Sequence, residues 1–209
     1  PQAWHDDVGD DQVVALTDKV IKNNLKLLVR FVNENTKNMD SGSTLSVVYV
    51  SETRAKAFVA ILGDSPVIIK TKNDIWVSPE HNARTNLAER KIAVERGAIY
   101  ARGYIWDDPE SDMGSGFQLT RSLGNRQFDK LLNREPETFC IDLDESSFII
   151  VASDGLVDPS HKKENQDVTK LLDIVAKDGT AFDLVKDALR RQTKDNVTVV
   201  LWRQSKVAQ

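Results

Sequence analysis

The chain has 209 residues, of which 40% are hydrophobic and 29% charged, the make-up of an ordinary soluble globular protein large enough for one domain with a substantial core. Its formal net charge of −4 leaves no basic footprint for nucleic acid. No apolar run approaches the ~18 residues of a bilayer-spanning helix and no signal-peptide pattern opens the chain, so neither a membrane nor a secretory role is expected. The single Cys140 rules out an intramolecular disulfide and a thiolate metal cluster, and points to a cytoplasmic or other reducing compartment with the thiol buried in a strand.

Residues 1–12, PQAWHDDVGDDQ, are acidic and unpatterned and read as a tail or loop ahead of one domain over 13–209. The chain opens on Pro1 with no initiator Met, so it is expected to be a piece of something longer. Val13, Leu16, Val20, Leu25, Leu28, Phe31 and Val32 recur at near-helical spacing and predict an amphipathic helix over 13–34. After the break DSGST come TLSVVYVS, AKAFVAILG and PVIIKTK, short β-branched runs separated by turn residues, as in an antiparallel meander. Residues 84–100 predict a second helix, with Asn86 and Glu89 spaced as a capping box and Gly97 placed to end it. Loop-rich sequence fills 101–136. TFCIDL and SFIIVAS predict strands flanking the turn DESS, helices follow over about 163–177 and 181–192, and DNVTVVLW (195–202) closes as a strand. Thr180 and Asp183 have capping-box spacing at the start of the last helix. Strands and helices in blocks favour an α+β fold over a doubly wound parallel sheet.

Two of the apolar strands carry an aspartate at one end: Asp154 follows FIIVAS and Asp195 precedes NVTVVLW. If these strands are antiparallel neighbours, the two carboxylates converge, and such a pair in a partly desolvated place repels unless a cation lies between them. Gly155 allows close backbone approach and offers a carbonyl as a further oxygen ligand. With His5, His81 and His161 scattered, the donors are hard oxygens, which suit Mg²⁺ or Mn²⁺. Spacing alone equally admits Asp-Gly and Asp-Asn as turns, and Asp158 as a helix-start residue.

VASDGLVD and DNVTVVLW resemble the two C-terminal metal motifs of the metal-dependent serine/threonine protein phosphatases, the protein phosphatase 2C family. SGSTLSVVYV, AFVAILGDSPVII, VSPEHN, ERKIAVERGAIY and LTRSLGN resemble further family blocks and occur in the family's order, so the likeness runs from about residue 20 to 203. It implies a β-sandwich of two antiparallel sheets flanked by helices on both outer faces, with metals in the cleft between the sheets. By resemblance, Asp154, the Gly155 carbonyl and Asp195 would serve the catalytic metal, and Glu80 and Asp158 a more weakly bound third ion. Gly63, Asp64 and Ser65 would form a structural strand–turn–strand hairpin, Asp64 holding the turn through local hydrogen bonds. The activity implied is hydrolysis of phosphoserine or phosphothreonine in a phosphoprotein substrate by a metal-activated water, with two catalytic Mg²⁺ or Mn²⁺ ions. His81 reads as a surface or capping residue rather than a general acid.

Departures from the family pattern are Val157 for the usual tryptophan, Asn125 for an aspartate and Pro66 for an arginine. The family's upstream Asp-Gly-His-Gly-Gly motif, source of the metal-bridging aspartate, has no counterpart here, which makes the expected fold N-terminally incomplete. Asp6, Asp7, Asp10 and Asp11 lack both its glycines and a preceding apolar strand. Two expectations follow: a phosphatase whose bridging motif lies outside these residues, or a pseudophosphatase that binds a partner through the family scaffold. Retention of Asp154, Asp158 and Asp195 favours the phosphatase.

Overall fold

A computed structural model of the chain describes residues 17–108, 116–157 and 168–204. The acidic start, Asp158, and most of the loop DDPESDMGSG therefore lie outside the described residues. In chain order the first half contains helix α1 (Asp18–Thr36), strands β1 (Gly42–Ser43), β2 (Leu45–Ser51), β3 (Lys56–Leu62), β4 (Val67–Lys70) and β5 (Ile75–Val77), then helix α2 (Leu87–Glu95). The second half contains β6 (Ile99–Ala101), β7 (Tyr104–Trp106), β8 (Leu123–Gly124), β9 (Glu137–Asp142), β10 (Phe148–Ala152), α3 (Thr169–Ala176), α4 (Ala181–Arg190) and β11 (Val199–Arg203).

Two antiparallel sheets, ordered β11-β10-β4-β5 and β2-β3-β9, pack face to face. Strand β3 explains why. Ala57, Val59 and Ile61 point between the sheets towards Val67, Ile69 and Ile149, while Phe58, Ala60 and Leu62 point outward onto Ile21, Leu25 and Val29 of α1. With both faces covered, the strand is apolar throughout instead of alternating. On the other sheet Ile68, Phe148 and Ile150 face Leu171, Leu172 and Val175 of α3 and Leu184 of α4. The result is four layers, helix–sheet–sheet–helix, the α+β sandwich that the resemblance implies. Each fully buried large side chain contributes about 1.5–3 kcal/mol.

The Trp76 and Phe139 rings, 5.1 Å apart, set β5 opposite β9, so β2 and β11 form the other side of the sandwich. Val200 pairs with Val151 and so shares the inner face with Trp202 and Ile149, yet it is 61% exposed.

Several local expectations are corrected. The three early strands are not one meander: β2 and β3 pair, but β4 belongs to the other sheet. Gly63–Pro66 is thus a crossover between sheets rather than a hairpin turn. In α1 the buried stripe is Ile21, Leu25, Val29 and Asn33, whereas Leu28 and Phe31 are exposed. The second helix stops at Glu95; Gly97, at φ +103°, ends it as expected, and the Ile-Tyr that follows turns into β6. Asn86 caps α2 by accepting from the N–H groups of Ala88 and Glu89, but the Glu89 side chain turns inward instead of closing a capping box. The box at Thr180 and Asp183 forms in both directions. Cys140 lies on β9 as expected but is only partly buried.

Candidate functional site

Strands β10 and β11 are antiparallel neighbours in the register Ala152↔Val199. Beyond that pair Ser153 donates its N–H to the Thr198 carbonyl at 3.0 Å and its hydroxyl to the Asn196 carbonyl at 3.0 Å, carrying the pairing to the strand end. Asp154 then opens a short 3-10 turn, Asp154–Leu156, beside the residues that lead into β11. Gly155 has no room for a side chain: a Cβ there would lie 2.5 Å from the Asn196 carbonyl oxygen and 3.2 Å from the Asp195 Cβ. The structure thus brings Asp154 and Asp195 to the same corner, on either side of Gly155. Both readings of these acids have a basis. Asp195 accepts from the Asn196 N–H at 2.7 Å, as a turn residue does, and its own N–H donates to Thr193 Oγ1 at 3.3 Å. The Gly155 carbonyl accepts from Thr193 Oγ1 at 3.1 Å, so a cation could use only its second lone pair.

Asp154 opens onto a cleft of about 570 Å³ lined also by Ser43, Thr44, Asp64, Ser65, Arg84 and Tyr104. Glu80 lines an adjoining recess together with Asp64, Asn82, Arg84 and Asp154. Asp195, whose Cβ lies beside Gly155, is not among these lining residues. Asp64 is held both locally and from a distance. Its carboxylate bonds locally to its own backbone N–H, and it also accepts from Asn82 Nδ2 at 2.8 Å, eighteen residues on, and faces the cleft. Burial, together with the negative charges of Asp154 and Glu80, raises its pKa to about 6 against the bond from Asn82. Glu80 accepts from the Thr85 hydroxyl, and its backbone carbonyl accepts from Asn86 Nδ2 at 2.9 Å. Gly63 is required by its φ of +118° and because a Cβ would lie 2.4 Å from the Thr44 methyl.

His81, expected at the surface, is fully buried. It grips the Gly63 backbone twice: its N–H donates to the Gly63 carbonyl at 3.1 Å, and its Nδ1 accepts the Gly63 N–H at 3.0 Å. Burial, then the nearby Arg121 charge, lower its pKa to about 4, with Glu89 opposing. One nitrogen and two carboxylates, from His81, Glu89 and Glu137, lie within 4.8 Å of one another, a spacing that could suit a metal. Arg121 already supplies the positive charge there, bonding Glu89 at 2.6 and 3.1 Å, Glu137 at 2.9 Å and the Glu135 carbonyl at 2.7 Å. That cluster is a buried ion pair that fastens α2 to β9, not a vacant ligand set.

The cleft's donors fit a hard divalent cation. They are carboxylate and hydroxyl oxygens, and burial first, then the negative charges of Asp154 and Glu80, raise the proton affinity of Asp64 among them.

A family model for protein phosphatase 2C matches residues 5–197. The chain belongs to the protein phosphatase 2C family. Protein phosphatase 2C homolog 1 of Saccharomyces cerevisiae is 30% identical over 155 residues, covering 73% of this chain and 51% of that protein. Probable protein phosphatase 2C 41 of Oryza sativa subsp. japonica is 26% identical over 203 residues, covering 94% and 67%. The chain thus spans about half to two thirds of the length of these relatives. Among solved structures, a serine-threonine phosphatase 2C from Toxoplasma gondii superposes with a TM-score of 0.62 at 18% identity, covering 94% of this chain and 71% of that one. A C. elegans sex determining protein gives 0.61 at 22% identity, covering 88% and 44%. At such identities these two likenesses establish the fold, the α+β sandwich described above. No helix among the described residues is long and apolar enough to cross a membrane.

Proposed function

We propose that the protein carrying this domain hydrolyses phosphoserine and phosphothreonine esters in proteins with the help of Mg²⁺ or Mn²⁺, and that these residues supply part of its metal site. What supports this reading is the approach of the Asp195 Cβ to Gly155, next to Asp154, together with a cleft lined by Asp154 and Asp64 and an adjoining recess lined by Glu80. Asp154 and Asp195 are the ligands proposed for the catalytic site, with the free lone pair of the Gly155 carbonyl. Glu80 is proposed for a third, weaker site, with Asp158, which lies outside the described residues. Asp64 adds a carboxylate that the sequence reading treated as structural. When bound, divalent ions supply Lewis-acid polarisation of the phosphoryl oxygens and a water of lowered pKa. The chain's own part is to hold the acids at fixed positions. Ser153 locks the end of β10 to the lead-in of β11, and His81 and Asn82 lock the turn that presents Asp64. Curated relatives named as phosphatases support catalysis and lend no support to a non-catalytic partner-binding module.

The test is hydrolysis of a phosphoserine peptide with Mn²⁺ present. Asp154→Ala is expected to reduce kcat/KM by about 100-fold or more, beyond the usual loss on removing a group that merely orients a ligand. A variant as fast as the wild type would remove Asp154 from the reaction.

A further inference from the structure

The cleft holds acids for cations, but a phosphoester dianion entering it also needs a positive partner from the protein. Among the described residues that line it, Arg84 is the one cation, and it lines both the main cleft and the recess around Glu80. Nothing in its sequence context, HNARTN, singles it out. The structure does, because Arg84 is held at every level. Its N–H donates to Asn82 Oδ1 at 2.9 Å, and the same Asn82 side chain donates to Asp64, so arginine and acid are set by one residue. Its carbonyl accepts from Arg90 Nη2 at 3.0 Å, and the Arg90 guanidinium also bonds the Ala83 carbonyl at 2.8 Å while lying over the Tyr100 ring. Its aliphatic stem lies along the turn of the β6–β7 hairpin: a Cβ on Gly103 would be in contact with Arg84 Cδ and Cγ at 3.7 and 3.8 Å. The next residue, Tyr104, shares the cleft wall.

We infer that Arg84 is the substrate-binding arginine of this chain, taking the phosphoryl oxygens of a phosphoserine or phosphothreonine side chain whose ester is presented to the Asp64–Asp154 end of the cleft. A guanidinium suits this task because its planar fork can bond two phosphoryl oxygens at once and keeps its charge at any working pH. Pinning of the backbone and stem limits the freedom lost when it binds. This inference rests on the phosphatase reading for the identity of the substrate, though not for the binding of phosphate.

The experiment compares wild type, Arg84→Ala and Arg84→Lys, each loaded with Mn²⁺. It measures inorganic phosphate binding by calorimetry, KM and kcat for a phosphoserine peptide, Mn²⁺ affinity, and Tm. Arg84→Ala is expected to weaken phosphate binding and raise KM by about tenfold, the loss of one charge-assisted contact. Arg84→Lys is expected to fall between, with Mn²⁺ affinity and Tm close to wild type in both variants. Unchanged phosphate affinity in Arg84→Ala, or no phosphate binding by the Mn²⁺-loaded wild type, overturns the inference. If phosphate binds in an Arg84-dependent way but no peptide is cleaved, the phosphatase reading fails and Arg84 stands as an anion-binding residue. If cleavage is unaffected by Arg84→Ala, the reverse holds.

Discussion

Replacing Asp64 by Asn removes a carboxyl group that the fold holds at a disadvantage. Burial and the charges of Asp154 and Glu80 lift its pKa from the ordinary 3.8 to about 6, while Asn82 opposes them with one hydrogen bond. The folded state therefore keeps this proton to higher pH than the unfolded chain. Stability from this group is fully present below pH 4 and falls as pH rises to about 6. At about 1.4 kcal/mol per pH unit, the ionised carboxylate costs the cation-free protein about 3 kcal/mol at neutral pH, an upper bound because water and neighbouring dipoles relax around it. An Asn at this position can still accept from Asn82 Nδ2, so the substitution changes charge more than contact. Urea unfolding in EDTA should find Asp64→Asn more stable than wild type by about 1–3 kcal/mol at pH 7.5, with the gap closing towards pH 4. Added Mn²⁺ should narrow or reverse the gap, because the cation stabilises the carboxylate that the variant lacks. A gap that does not change with pH, or a less stable variant at pH 7.5 in EDTA, would refute the electrostatic account of the cleft.

Other parts of the scaffold give sharper stability tests. Glu89→Ala removes two of the bonds to the buried Arg121 guanidinium, leaving it Glu137 and the Glu135 carbonyl, and should cost about 1–3 kcal/mol in urea unfolding. No measurable loss would contradict the place given to Glu89 as a partner of Arg121. Gly155→Ala must push the Asn196 carbonyl away from the strand end; it should destabilise by about 1–3 kcal/mol and weaken Mn²⁺ binding together, whereas a neutral effect would place Asn196 elsewhere. Buried His81 holds its proton less tightly than in the unfolded chain, with a folded pKa of about 4, so its contribution grows as pH rises from 4 to 6.5 and is lost on acidification. In wild type this slope opposes that of Asp64, so the pH dependence of stability between 4 and 6 should be steeper in Asp64→Asn; an unchanged slope would contradict it.

The larger architecture was readable because its signals are local. Strand runs, the capping box at Thr180 and the stop at Gly97 each depend on a few neighbouring residues. The place of Asp154 at a strand end was readable too, since an apolar strand that runs straight into an acid puts that acid at the sheet's end. The same pattern, AILGD, marked Asp64. It was assigned to a hairpin because sequence does not tell a turn within one sheet from a crossover between two. The burial of His81 was not legible for a related reason: it goes with bonds to Gly63, eighteen residues before it, and to the Thr120 N–H, and no periodicity encodes either contact. The inward turn of Glu89 has the same origin, since the choice between capping α2 and pairing with Arg121 is made by tertiary packing. Arg84 gave no signal, because what distinguishes it is the glycine turn and the two side chains that hold it.

Calorimetric titration of Mn²⁺ into wild type, Asp154→Asn and Asp195→Asn probes the convergence of these strand-end acids without relying on turnover. Both variants should bind Mn²⁺ at least about tenfold more weakly than wild type while unfolding at nearly the same temperature, the mark of two ligands on one ion. Wild-type affinity in both, or loss in Asp154→Asn alone, would show that the two aspartates do not share a cation.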